Sequence, residues 1–409
     1  MHLQQHIQHN KPKAQKGSLR FARIKRGIFL TGLAVFAQLY IFQPMLPHLC
    51  KDFGIAPATS SWSVSMATAG MAFGLFFFSL KADSWSRKKL MTFALFSSSI
   101  LTLISAFVPW FATLSAVSFV RGALLSGVSA VALTYLNEEV DEKIIGLAIS
   151  LYLSGNAVGG MSGRIVSAFL SGLIGWRATL FVVGLITFSI AIVFYRIFPS
   201  SQHFTPSKFS IGTKFKQMRG YLRTPLMIQM YLCAFLLMGG FVSIYNYTGF
   251  HLEAPPYSLP HTIIASIFFM YILGILGSLY AGRLSDKHST RVLIRYFVAG
   301  SIIGQLMMLS QQLWLLVLGL CVFTFNFFAT HAMASRTVSQ NAGEGRSSAT
   351  SLYWLFYYLG SSILGTSTGS LLSTGGWCCF MLTLITISAG CFLWLMGTKY
   401  KGMGMKVYE

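Results

Sequence analysis

Uncharged, continuously apolar runs of about twenty residues recur from residue 27 to residue 398, and nothing constrains this chain more. As a helix, one such run is long enough to cross the ~30 Å hydrocarbon core of a bilayer. Cutting at charges and turn residues places spans 1 and 2 at 27–50 and 53–80. The uncharged stretch 90–120 is too long for one crossing, and Pro109-Trp110 divides it into span 3 and the start of span 4. Span 4 continues past Arg121 to about 136, and spans 5 and 6 follow at 144–171 and 177–198, separated by Gly175-Trp176. The polar segment 199–224 comes next, the longest in the chain. Spans 7 to 12 then fall at 225–250, 260–283, 292–311, 313–336, 347–372 and 377–398. A membrane β-barrel is excluded, because its segments alternate with period two over ~10 residues, and these runs are continuous.

Composition agrees. Apolar residues make up 54% of the chain and charged residues 10%, against ~25% charged in soluble domains. Soluble enzymes, disulfide-stapled secreted domains and disordered chains are excluded. The net charge of +21 does not point to nucleic acid, because of where the basic residues lie. With both termini inside, 27 of the 31 lysines and arginines fall in inner segments, and only Lys51 and Arg177 fall outside. Arg121 and Arg164 lie within spans. That asymmetry predicts cytoplasmic termini and a cytoplasmic 199–224 loop. The N-terminal segment runs into a full-length span with no small-residue cleavage site, so a retained tail is expected rather than a signal peptide. The six cysteines, with no CxxC spacing, read as small buried hydrophobes, and no metal or cofactor is expected.

The two halves resemble each other. Asp83 recurs as Asp286, 203 residues later, Ser150-Leu151-Tyr152 as Ser351-Leu352-Tyr353 at 201, and Gly175-Trp176 as Gly376-Trp377 at 201. Three matches at nearly one offset make a duplication. The expected fold class is therefore an all-α membrane protein of twelve transmembrane helices in two pseudo-symmetric six-helix halves. Its parts are a basic tail 1–26, a half 27–198, a linker 199–224, a half 225–398 and a tail 399–409.

Two such halves in the same orientation resemble the major facilitator superfamily, whose halves rock about a site near the bilayer midplane. Ala281-Gly282-Arg283-Leu284-Ser285-Asp286-Lys287, followed by Arg291, is similar to the signature loop of that superfamily. The first-half copy, residues 79–88, is degraded, with serines where both glycines and one arginine are expected, yet it keeps Asp83, Arg87 and Lys88. The resemblance implies that these loop acids latch the inward gate, and a carboxylate there is favoured by a helix dipole. Gly146, Gly155, Gly159 and Gly163 keep the spacing of the superfamily's glycine-rich antiporter motif, with Gly160 and Arg164 as departures. Glycines four apart also let membrane helices approach closely. The strings LYLSGNAVGGMSGR (151–164), LMGGFVSIYNYTGF (237–250), APPYSLP (254–260) and SLYWLFYYLGSSILG (351–365) resemble YnfM-type inner-membrane transporters of the twelve-span drug:proton antiporter group. The resemblance implies a proton-coupled exporter in the cell inner membrane.

A transport site needs polar side chains facing a central cavity, since facing lipid is costly. Arg121, 10 residues from Phe111 and 15 from Leu136, is placed near mid-membrane. It matches the buried arginine of the family's span-4 motif, which the resemblance ties to proton coupling, although Leu124 and Leu125 replace that motif's glutamine and glycine. Arg164 lies nearer the outer face, where it either snorkels or lines the cavity. The other candidates are Gln38, Gln43, Asn156, Tyr245, Asn246, Asn326, Tyr357 and Tyr358, with His331 as a proton carrier. Each could equally be helix-to-helix glue. Glu138 and Glu139 close span 4 at the inner surface, where water can reach them.

There is no HExxH, GxSxG, Walker phosphate loop or intramembrane carboxylate pair, so neither enzyme chemistry nor direct ATP drive is expected. Ion gradients, protons first, are the remaining energy source. An importer or a lipid flippase on the same fold is the alternative, to be separated by direction of flux. None of the ten acids falls inside a span, while Arg121 does. A small neutral or anionic substrate is expected, carried by a monomer in the bilayer.

Overall fold

The computed structural model describes residues 12–81, 85–204, 211–343 and 346–397. Asp83, the acid of the degraded loop, lies outside the described residues, as do Glu344 and Glu409. The described elements are helical apart from one isolated bridge between Ala14 and Val140.

Eight helical stretches are each long and apolar enough to cross a membrane. Two of them, Ile145–Ile197 and Ser348–Gly397, are of double length and hold spans 5 with 6 and 11 with 12. Each is divided at a glycine, Gly175 (φ 79°, ψ 160°) or Gly376 (φ 66°, ψ −170°). That region of backbone space is essentially closed to residues with a Cβ, so glycine lets the chain reverse with almost no loop. Spans 3 (Arg87–Ser105) and 9 (Thr290–Met307) complete the twelve. They are less apolar because their first two turns carry Arg87, Lys88 and Lys89, or Arg291 and Arg295.

Within each half, the inner spans pack pairwise, span 1 on span 5, span 2 on span 4, span 7 on span 11 and span 8 on span 10. Close approach comes from small residues. A Cβ at Gly155, Gly159 or Gly163 would overlap the span 1 backbone at Phe29, Leu33 and Ala37. Gly146 differs from the expectation. Nothing stands within 4 Å of where its Cβ would be, so it packs no helix. The halves meet along span 2 against span 11 and span 5 against span 8.

The first described residues, the described part of the linker and the last turn of span 12 lie on one face, here the tail face. The linker contains a helix, Ile211–Tyr221, which the polar character of 199–224 had not suggested. It packs against span 11, and Tyr221 donates to the Ala342 carbonyl at 2.5 Å. Span 4 ends on this face at two acids. Glu138 pairs with Arg87 at 2.8 Å. Glu139 differs from the solvated expectation. It is 0% exposed and accepts from Arg20, from the backbone N–H groups of Gln202 and His203, and from the His203 ring. The chain around Ala14 bonds the Glu139 carbonyl and the Asp141 N–H, so tail, span 4 and linker are sewn together.

Candidate substrate site

The site is organised by a break in span 1. Helix Leu19–Leu39 stops, and a 3-10 turn Gln43–Met45 leads into helix Leu46–Phe53. Pro44 and Pro47 explain it. Neither has an N–H to give a continuous helix, and each suits the first turn of a new one. The interruption presents Tyr40, Phe42 and Gln43 to the centre of the molecule, where all three are buried.

Two arginines lie on this break. The Arg121 guanidinium stands over the Phe42 ring at 5.0 Å. The side chain is 0% exposed, and none of its three nitrogens has a hydrogen-bond partner among the described residues. Arg164 is buried as well and does not snorkel. It stacks over Tyr40 at 4.2 Å and over Tyr271, from span 8, at 4.7 Å. Its Nη1 donates to the Gly160 carbonyl at 2.5 Å and its Nε to Gln43 Oε1 at 2.6 Å.

Gln43 carries the connection across the molecule. Its Nε2 donates to Asn246 Oδ1 at 2.8 Å, and Asn246 donates on to the Gly365 carbonyl at 3.2 Å. One buried line thus joins spans 5 and 1 of the first half to spans 7 and 11 of the second. Beyond it, towards the face opposite the tails, the rings of His48 and His261 meet at 4.2 Å and Ser171 approaches His261 at 3.4 Å. The void between the halves here is about 10 Å3, room for one water. This side is closed.

The other candidates sort by position. Tyr357 and Tyr358 of span 11 lie near Tyr40 across the interface, and Tyr358 also lies near Tyr152. Asn156 stands within hydrogen-bonding reach of Tyr152. His331 bonds the Tyr353 hydroxyl at 2.8 Å and lies 4.8 Å from the Tyr357 ring. Tyr245 is tied to Thr324 at 2.8 Å. Two candidates point elsewhere. Gln38 accepts from Thr102 of span 3 and donates to Ala34, and Asn326 bonds its own helix at Val322 beside Gly300 of span 9. On the tail face, Lys88 donates to the Phe198 carbonyl and Arg291 opens span 9. Asp286 meets Arg336 at 3.5 Å with its side chain 70% exposed, and Gly282 faces open space.

Sequence reasoning had not singled out Tyr40, Tyr271 and Ser361. The hydroxyls of all three are buried, and Tyr40 neighbours Tyr271 and stands within hydrogen-bonding reach of Ser361. Buried hydroxyls from both halves thus gather at the span 1 break. The sequence signal was only a tyrosine near a proline.

A profile of the major facilitator superfamily matches residues 28–365. The MFS-type transporter YybF of Bacillus subtilis is 35% identical over 391 residues, covering 96% of both chains. The chain belongs to the major facilitator superfamily. The inner membrane transport protein YnfM of Escherichia coli is 35% identical over 363 residues, 89% of this chain and 87% of that one. Among solved structures, the nucleoside transporter NupG superposes with a TM-score of 0.73 at 13% identity over 92% of this chain and all of that one. A bacterial homologue of the lysosomal transporter Spinster, inward-facing and occupied, gives 0.74 at 15% over 93% of this chain and 97% of that one. As a major facilitator, the chain is a multi-pass membrane transporter whose halves alternate access to a site between them.

Proposed function

We propose that this protein is a proton-coupled exporter of a small neutral or anionic molecule, with both termini and the linker in the cytoplasm. The orientation rests on the distribution of lysine and arginine, which crowd the tail face. In that orientation, the closed side is the external one.

The single observation behind the substrate charge is Arg121. A guanidinium held at mid-membrane with three unpartnered nitrogens is costly to keep. It is retained where another state of the cycle supplies the partner, and an anion or strongly polar group is the partner that fits. No carboxylate among the described residues sits beside it, so nothing here would balance a cation. His331, bonded to Tyr353, is the group deep in the bundle that can take up a proton. YnfM and YybF, named as transporters, support the class but not the substrate.

The test is transport by the purified protein in proteoliposomes under an imposed pH gradient. The expected result is saturable, gradient-driven movement of anions that Arg121→Gln abolishes. Gradient-driven export of ethidium, undiminished in Arg121→Gln, overturns the reading.

A further inference from the structure

The two walls of the central site are chemically unlike. The membrane-embedded guanidiniums, Arg121 and Arg164, both belong to the first half. The second half carries a continuous run of aromatic rings that reaches the first half at Arg164. It begins at Tyr357, 4.8 Å from the His331 ring, and His331 lies nearly parallel to Phe327 at 6.3 Å. Phe327 stacks on Phe241 at 4.0 Å, Phe241 meets Tyr245 at 4.8 Å, and Tyr245 meets Tyr271 at 5.1 Å. Tyr271 closes the circuit, because its ring lies under Arg164. Near mid-membrane, His331 and Tyr357 keep accessible surface although atoms crowd them, and Tyr357 lies near Tyr40 of the first half.

We infer that the transported molecule is an aromatic acid, a flat ring system carrying a carboxylate or comparable anionic group. The inference rests on the anionic reading above and adds the ring. Arg121 holds the acid, because a guanidinium pairs with a planar anion through two parallel hydrogen bonds. Tyr357 and His331 hold the ring, because offset and edge-to-face ring contacts contribute beyond area burial. Tyr40, near Tyr357, lies on the span 1 break that also carries Phe42, the ring under Arg121. In the described state Phe42 covers the Arg121 guanidinium with its ring face, a partner an arriving anion displaces. A saturated acid of the same size satisfies the first wall and leaves the second without its ring contacts. A neutral aromatic does the reverse.

Titration calorimetry on the full chain in lipid nanodiscs, with protein-free discs as background, separates these cases. The probes are 2-naphthoate, decahydro-2-naphthoate, 2-naphthamide and 2-naphthyltrimethylammonium. The expected result is 2-naphthoate binding at least tenfold more tightly than each of the others. Arg121→Gln should remove its advantage over the amide, and Tyr357→Leu its advantage over the saturated acid. Retained binding of the saturated acid by Tyr357→Leu shows that this variant is folded. Equal binding of the two acids overturns the aromatic assignment and leaves the anionic one standing. Equal or tighter binding of the amide or the cation overturns both. Naphthoate binding no better than protein-free discs overturns the proposal.

Discussion

Gln43 and Asn246 are bonded at 2.8 Å although they belong to different halves of the molecule, and the same glutamine accepts from Arg164 at 2.6 Å. A rocking motion that opens the face opposite the tails must break this line. Gln43→Leu removes the link while leaving the helices their volume. Loss of a hydrogen bond to a charged group, ~1.5–3 kcal/mol, shifts a two-state balance roughly ten- to a hundredfold. Spin labels at the exposed positions Ala112 and Gln311, one in each half, should therefore gain a longer-distance population in this variant. An unchanged distance distribution would show that the line does not hold the gate.

The glycines of span 5 separate spacing from packing. Gly146 and Gly159 belong to one sequence motif, yet a Cβ at Gly159 would overlap the Leu33 carbonyl and one at Gly146 meets nothing within 4 Å. Gly159→Ala must push spans 1 and 5 apart at their closest approach, a cost of ~1–3 kcal/mol of the kind seen on overpacking. Gly146→Ala should cost nothing, since alanine favours helix over glycine by up to ~1 kcal/mol. Thermal unfolding in detergent should show a lowered midpoint for the first and none for the second. Equal losses would contradict the packing described.

How much of this was legible in the sequence depends on whether a feature is local. The twelve spans are written in composition, and the tight reversals in the two Gly-Trp pairs. The depth of Arg121 follows from counting along its own span. Arg164 could not be placed that way, because its burial is made by Tyr40 and Tyr271, which come from two other spans in different halves. Gly146 keeps the motif's spacing but lies in the first turn of its helix, beyond the crossing with span 1. The linker helix was readable in part. Ile211, Phe215, Met218 and Leu222 recur at helical spacing within a segment whose lysines and arginines dominate its composition.

Two acids of the tail face should differ in how much stability depends on their charge. Glu139 is fully buried and accepts from Arg20, His203 and two backbone N–H groups, holding the tail and the linker on span 4. Glu139→Gln keeps the shape and removes the charge that Arg20 answers, and breaking one side of a buried pair costs ~3–5 kcal/mol. A fall in unfolding midpoint and faster proteolysis near residue 202 are the expected outcomes. Asp286 is mostly exposed and, among the described residues, its side chain meets Arg336 at 3.5 Å, so Asp286→Asn should move the midpoint little, as exposed pairs contribute at most ~1 kcal/mol. We propose that Asp286 acts in gating, since it lies in a tail-face loop away from the central site. Asp286→Asn should then slow turnover in proteoliposomes while substrate affinity stays within about twofold. A tenfold loss of affinity, ~1.4 kcal/mol, with turnover unchanged would refute the gating role. An unchanged midpoint in Glu139→Gln would refute the anchoring one.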